Sequence, residues 1–131
     1  MKEWHFKEKV YRTWVVVVEG SADEFRQFLK DATYTEEFEG GNSGACIHLN
    51  EENTTNGNDC YVIWLKKWES ACFTHELVHL AMMIFDAKHV PIHIENTEGL
   101  AYYVEFWFNE ITRTRRHHPA GRAAKEVRKL K

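Results

Sequence analysis

Residues 75–79 read His-Glu-Leu-Val-His. On an α-helix, histidines four apart stand one above the other, so both imidazoles can reach a single ion. Glu76 sits one step round from His75, where its carboxylate can approach a water on that ion without becoming a ligand. That is the physical content of the H-E-x-x-H pattern, a zinc site carrying its own general base. Zinc in such a site needs a third protein ligand and keeps an open position for water or substrate. The competing reading is structural: two histidines satisfied by buried carboxylates, with no metal.

The chain around these residues must supply a helix, and it does. From about Ser70 to Ala87 the sequence is apolar nearly all round, with Phe73, Leu77, Val78, Leu80, Ala81, Met82, Met83, Ile84 and Phe85. A helix of that kind belongs in a core. It should stop before Pro91, because the residue preceding a proline is steered away from helical geometry. A last helix is expected from about Glu98 to Thr114. Upstream, the β-branched and aromatic stretch from Val10 to Glu19 suits a central strand. Ser21 and Glu24 form a capping box for a helix whose apolar face is Phe25, Phe28 and Leu29. "ACIHLN" and "CYVIWLKKW" are two further strands, separated by a loop marked by Asn56-Gly57. The order predicts an α+β fold, a small and mainly antiparallel sheet packed against the buried H-E-x-x-H helix and the helix that follows it.

Eighteen residues separate His79 from Glu98, which opens the stretch "EGLAYY". This H-E-x-x-H-x18-E arrangement resembles the gluzincins, the zinc metallopeptidases with a glutamate ligand. "EGLAYY" also resembles the sequence around the third ligand in the large aminopeptidases of that group. The resemblance covers about residues 73 to 103 and implies that His75, His79 and Glu98 bind Zn2+. It also implies that Glu76 is general base and acid in peptide hydrolysis. For a donor to the oxyanion, Tyr102 is named first because it shares a helix face with Glu98, then Tyr103 and His93. The family architecture puts a strand just ahead of the zinc helix at the edge of the cleft, where it pairs with extended peptide; "CYVIWLKKW" takes that place.

Two departures narrow the resemblance. The G-x-M-E-N signature that holds a free N-terminus is missing, so an aminopeptidase is not implied. Tyr102 stands where thermolysin-like members carry an aspartate, so the groups that orient the ligands must differ. The layout as a whole is similar to small phage-encoded metallopeptidase-like proteins. Rival third ligands are Glu95, and His89 with His93 in a three-histidine site as in the SprT-like group. That group's later glycine and histidine positions are Met82 and Phe85 here. Glu105 is a further candidate, as a group orienting a ligand histidine.

Length and composition bound the rest. The 131 residues suit one domain, and 14% aromatic content with five tryptophans excludes a disordered chain. No apolar run approaches the roughly 18 residues that cross a bilayer. "WVVVV" is too short, and too closely bracketed by Arg12 and Glu19, to be a secretory signal, so a cytoplasmic protein is expected. The three cysteines lack a C-x-x-C pair and read as small buried hydrophobes. Residues 1–112 carry nine Lys and Arg against nineteen Asp and Glu, and residues 113–131 carry eight against one. An acidic metallopeptidase-like domain, 1–112, is therefore expected to end in a basic tail, 113–131. That tail could touch nucleic acid or an acidic partner by charge attraction. The expected partner is a peptide or protein substrate; the alternative is a catalytically silent, zinc-stabilised interaction module.

Overall fold

The structure, a computed structural model, describes residues 1–121. Residues 122–131 of the expected tail lie outside the described residues. The fold is α+β: one four-stranded, mostly antiparallel sheet with helices on both faces. Strands β1 (Lys2–Glu8) and β2 (Thr13–Glu19) form a hairpin, followed by α1 (Ala22–Asp31). Then come β3 (Gly44–Leu49), β4 (Cys60–Leu65), α2 (Ser70–Ala87), a single 3-10 turn (Ile94–Asn96) and α3 (Thr97–His117). Among the described residues no helix is long and apolar enough to cross a membrane.

Strand order is β1-β2-β4-β3, with β2 and β4 parallel and the two outer pairs antiparallel. The parallel joint follows from composition. Every residue of Cys60–Leu65 is buried, as are Val15 to Val18, so neither strand has a face to give to water. Runs that are apolar on both faces belong in the middle of a sheet covered on both sides. This corrects the expectation that "CYVIWLKKW" forms an edge: β4 is interior, and β3 ends the sheet on that side.

One face carries Val15, Val17, Tyr61, Ile63 and Leu65 against Phe73, Leu77, Leu80 and Ile84 of α2 and Trp107 and Ile111 of α3. The other carries Val16, Val18, Val62 and Trp64 against Phe25, Phe28 and Leu29 of α1. The capping box forms as expected, with Glu24 N donating to Ser21 Oγ and Ser21 N donating to Glu24 Oε1. The hairpin strand β1 has no counterpart in the sequence reading. Its Trp4 and Phe6 alternate toward α3, but Glu3 on the opposite face is also fully buried, which breaks the polar half of the pattern.

α3 begins at Thr97 and continues to His117, three residues past the expected stop. Arg115 explains the extension. Its guanidinium donates to Glu19 Oε1 at 3.1 and 3.2 Å and lies 4.2 Å from the ring centre of Trp68. Beyond it, the Trp4 indole donates to the His118 carbonyl at 2.7 Å. The first residues of the basic stretch are thus tied to the sheet.

Candidate metal centre

α2 presents three different surfaces. Phe73, Leu77, Leu80 and Ile84 face the sheet and α3, while Glu76 is buried on the side toward β3. His75, Val78, His79 and Met82 are exposed. The helix expected to be buried all round is therefore open along one side, because the sheet and α3 cover only part of its circumference. The histidines escape the desolvation cost that the sequence implied; the carboxylate bears it.

The four-residue spacing brings the two imidazoles together, with His75 Nε2 and His79 Nε2 3.2 Å apart. Two nitrogens each about 2.0–2.1 Å from a tetrahedral zinc stand about 3.3 Å from each other, so the pair has the bite of a metal chelate. An N–H···N bond between neutral rings has a similar length, so the distance alone does not choose between ion and proton. Glu76 lies beside the pair. The residue is 5% exposed, and its carboxylate oxygens are not among the fully buried unpartnered atoms of the described residues. Here burial raises the Glu76 pKa, opposed by the charges available on His75 and His79. One ligand atom from each of His75, Glu76 and His79 can be chosen so that all three lie within 4.8 Å of one another. The imidazole pair suits zinc as two of its ligands, and among the described residues no third ligand joins them once Glu76 is kept as the proton carrier.

Edge strand β3 holds this cluster in place. Gly44 sits where an added Cβ would come within 2.9 Å of both Cys72 Sγ and the Trp64 carbonyl. Only glycine lets the first turn of α2 approach the strand so closely. Cys46, two residues on, faces Glu76. Burial holds its thiol far above the ordinary range, and the Glu76 charge adds to that. Cys72 is raised by burial and then by Glu76. Both sulfurs therefore stay protonated and behave as the small hydrophobes expected of them.

The chain matches no known protein family, no curated protein and no solved structure.

Glu98 stands outside this cluster. The reason is helical register. α2 continues from His79 to Ala87, about 12 Å of helix, before the connection at 88–96. Glu98 is the second residue of α3 and exposed, so it lies beyond the far end of α2. Ring contacts agree: Tyr103 packs on Phe85 with centroids 5.3 Å apart, and Phe108 packs on Phe73 at 5.7 Å. α3 draws level with His79 about eight residues in, near Glu105, which is exposed and also outside the cluster.

The other expected site residues scatter. Tyr102, 66% exposed, lines a cavity of about 440 Å³ with Tyr11, Phe85, Val90 and Phe106, toward the C-terminal end of α2. Tyr103 is buried among Tyr11, Phe85 and Trp107, a core aromatic whose pKa burial lifts to about 12. His89, His93 and Glu95 are exposed in the connection between the helices.

Proposed function

We propose that this protein is a zinc-dependent hydrolase of peptide bonds in which His75 and His79 hold the ion and Glu76 moves the proton. The observation that supports the reading is the His75–His79 pair at chelating separation with Glu76 beside it, one ligand atom from each lying within 4.8 Å of the others. When bound, zinc supplies Lewis acidity that lowers the pKa of water at the site toward about 7. Glu76, its pKa raised by burial, is suited to accept a proton from the attacking water and return it to the leaving amine. Its position one step round the helix keeps it beside the histidines rather than opposite them. Glu98 and Tyr102 are assigned no part in this scheme.

Peptide is the substrate class that the surroundings favour. β3 ends the sheet beside α2, and its Cys46 neighbours Glu76. An edge strand offers main-chain hydrogen bonds to an extended chain whatever its side chains. The test is cleavage of a mixed peptide library by purified protein, abolished by chelator and restored by zinc. Absence of chelator-sensitive cleavage, with zinc bound stoichiometrically, would sink the hydrolase.

One observation favours a second reading. Both histidines are exposed, so another polypeptide can approach the ion and complete its coordination. The protein would then be an interaction module joined to its partner through zinc. Zinc-dependent association without turnover separates this from the enzyme.

A further inference from the structure

A second constellation lies at the other end of α2. A cavity of about 620 Å³ opens where the beginnings of β2 and β4, the end of β3 and the last turn of α2 meet. Arg12 and Lys88 stand on its rim, and Trp14, His48, Asp59 and Tyr61 contribute its walls. We propose that this cavity binds a small aromatic anion, a ring bearing a carboxylate or phosphate group.

The backbone beside the cavity takes left-handed geometry at two positions. Arg12 has φ 53° and His89, next to Lys88, has φ 57°. Left-handed geometry is uncommon for residues with a Cβ, and such outliers persist only when surrounding structure enforces them. At Arg12 the enforcing group is Glu8, 5% exposed. Its carboxylate accepts from Val10 N at 2.7 Å, Tyr11 N at 2.8 Å and Thr13 Oγ1 at 3.3 Å. At His89 it is the end of α2, where His89 N donates to the Asp86 carbonyl and Val90 N to the Phe85 carbonyl. Those bonds also occupy helix-end carbonyls whose partial charge opposes an anion. Among the described residues neither Arg12 nor Lys88 has an ion-pair partner, in a body whose residues 1–112 are strongly acidic. Both are exposed and line the same cavity.

The walls set the rest of the ligand. His48 and Tyr61 are cross-strand partners whose rings stack 4.1 Å apart at 8°. His48 Nε2 is bonded to Asp59 Oδ1 at 2.9 Å, which fixes the imidazole and engages the one acid on the cavity wall. Trp14 is held by Lys7, whose ammonium lies 5.0 Å from its ring centre. The cavity has the volume of a small-molecule site, far more than a bare oxyanion fills, and the stacked His48–Tyr61 pair offers an aromatic surface for a flat ring.

Benzoate and phenyl phosphate, titrated separately into the full-length protein, read the proposal out through amide shifts of Trp14, His48 and Lys88. Whichever saturates identifies the oxyanion as carboxylate or phosphate. Arg12→Gly removes the cation while relieving the left-handed backbone, and Lys88→Gln removes the other charge without touching that turn. Each is expected to weaken binding about tenfold or more, the scale of a charge-assisted hydrogen bond. Saturable shifts weakened by either substitution support the site. No saturable response to either probe, or equal affinity in both variants, overturns it.

Discussion

His75 Nε2 and His79 Nε2 stand 3.2 Å apart beside Glu76, a residue 5% exposed. An ion bound there binds the folded state alone, because no chelate of this geometry exists in the unfolded chain. Zinc at about 100 times its dissociation constant should add about 2.7 kcal/mol to unfolding free energy. His75→Ala and His79→Ala should each remove that gain, while stability without metal hardly changes, since both side chains are exposed. Chemical denaturation with and without zinc measures it; equal zinc stabilisation in wild type and both variants would mean the ion sits elsewhere.

Glu98→Ala is expected to leave zinc affinity within about twofold of wild type, the scatter expected of surface substitutions. Glu98 is not part of the His75–Glu76–His79 cluster and opens α3 after the connection that follows α2. Competition titration against a chromophoric chelator decides the point. A loss of tenfold or more would place Glu98 in the coordination sphere and overturn the register argument.

Glu76→Gln separates chemistry from folding. The amide keeps the shape and removes the charge that burial destabilises, so stability should hold or rise slightly. Peptide hydrolysis should fall by about 10²–10⁴, the usual contribution of a positioned base, with zinc still bound. An unchanged hydrolysis rate at full zinc occupancy excludes Glu76 as the proton carrier.

Alkali should unfold this protein from within its core. Burial lifts the Cys60 thiol to about 12 and the Tyr103 phenol to about 12, against ordinary values of about 8.5 and about 10. Both groups are protonated when folded and ionise more readily when unfolded. Their contribution is intact below the unfolded values and is lost as pH climbs from about 8.5 toward 12. Urea midpoints should fall across that window, and Cys60→Ala should flatten the start of the decline. A midpoint independent of pH there contradicts the burial of these groups.

Arg115 closes the molecule by joining α3 to Glu19 of β2 and covering Trp68. The pair is largely shielded, with side-chain exposures of 30% and 17%. Arg115→Ala should therefore cost about 1.5–3 kcal/mol, the range for hydrogen bonds to charged groups. A change within about 0.5 kcal/mol would class residue 115 with an unanchored surface tail instead.

Several features were legible in the sequence because they are local. The bounds of α2, Ser70–Ala87, follow from its apolar run and the proline beyond it. The Ser21–Glu24 box needs only a three-residue spacing. The meeting of His75 with His79 needs only the helical repeat. Tertiary structure decided what depends on distant pairing. It placed β4 inside the sheet and left β3 as the edge, because strand order reflects which strands bury both faces. It carried Glu98 away from the histidines, because a count of intervening residues does not say where the first helix stops and the chain turns back. It also buried Glu76 while exposing His75 and His79, since residues one and three steps apart on a helix face different surroundings, and only the packed sheet determines which of them meets water.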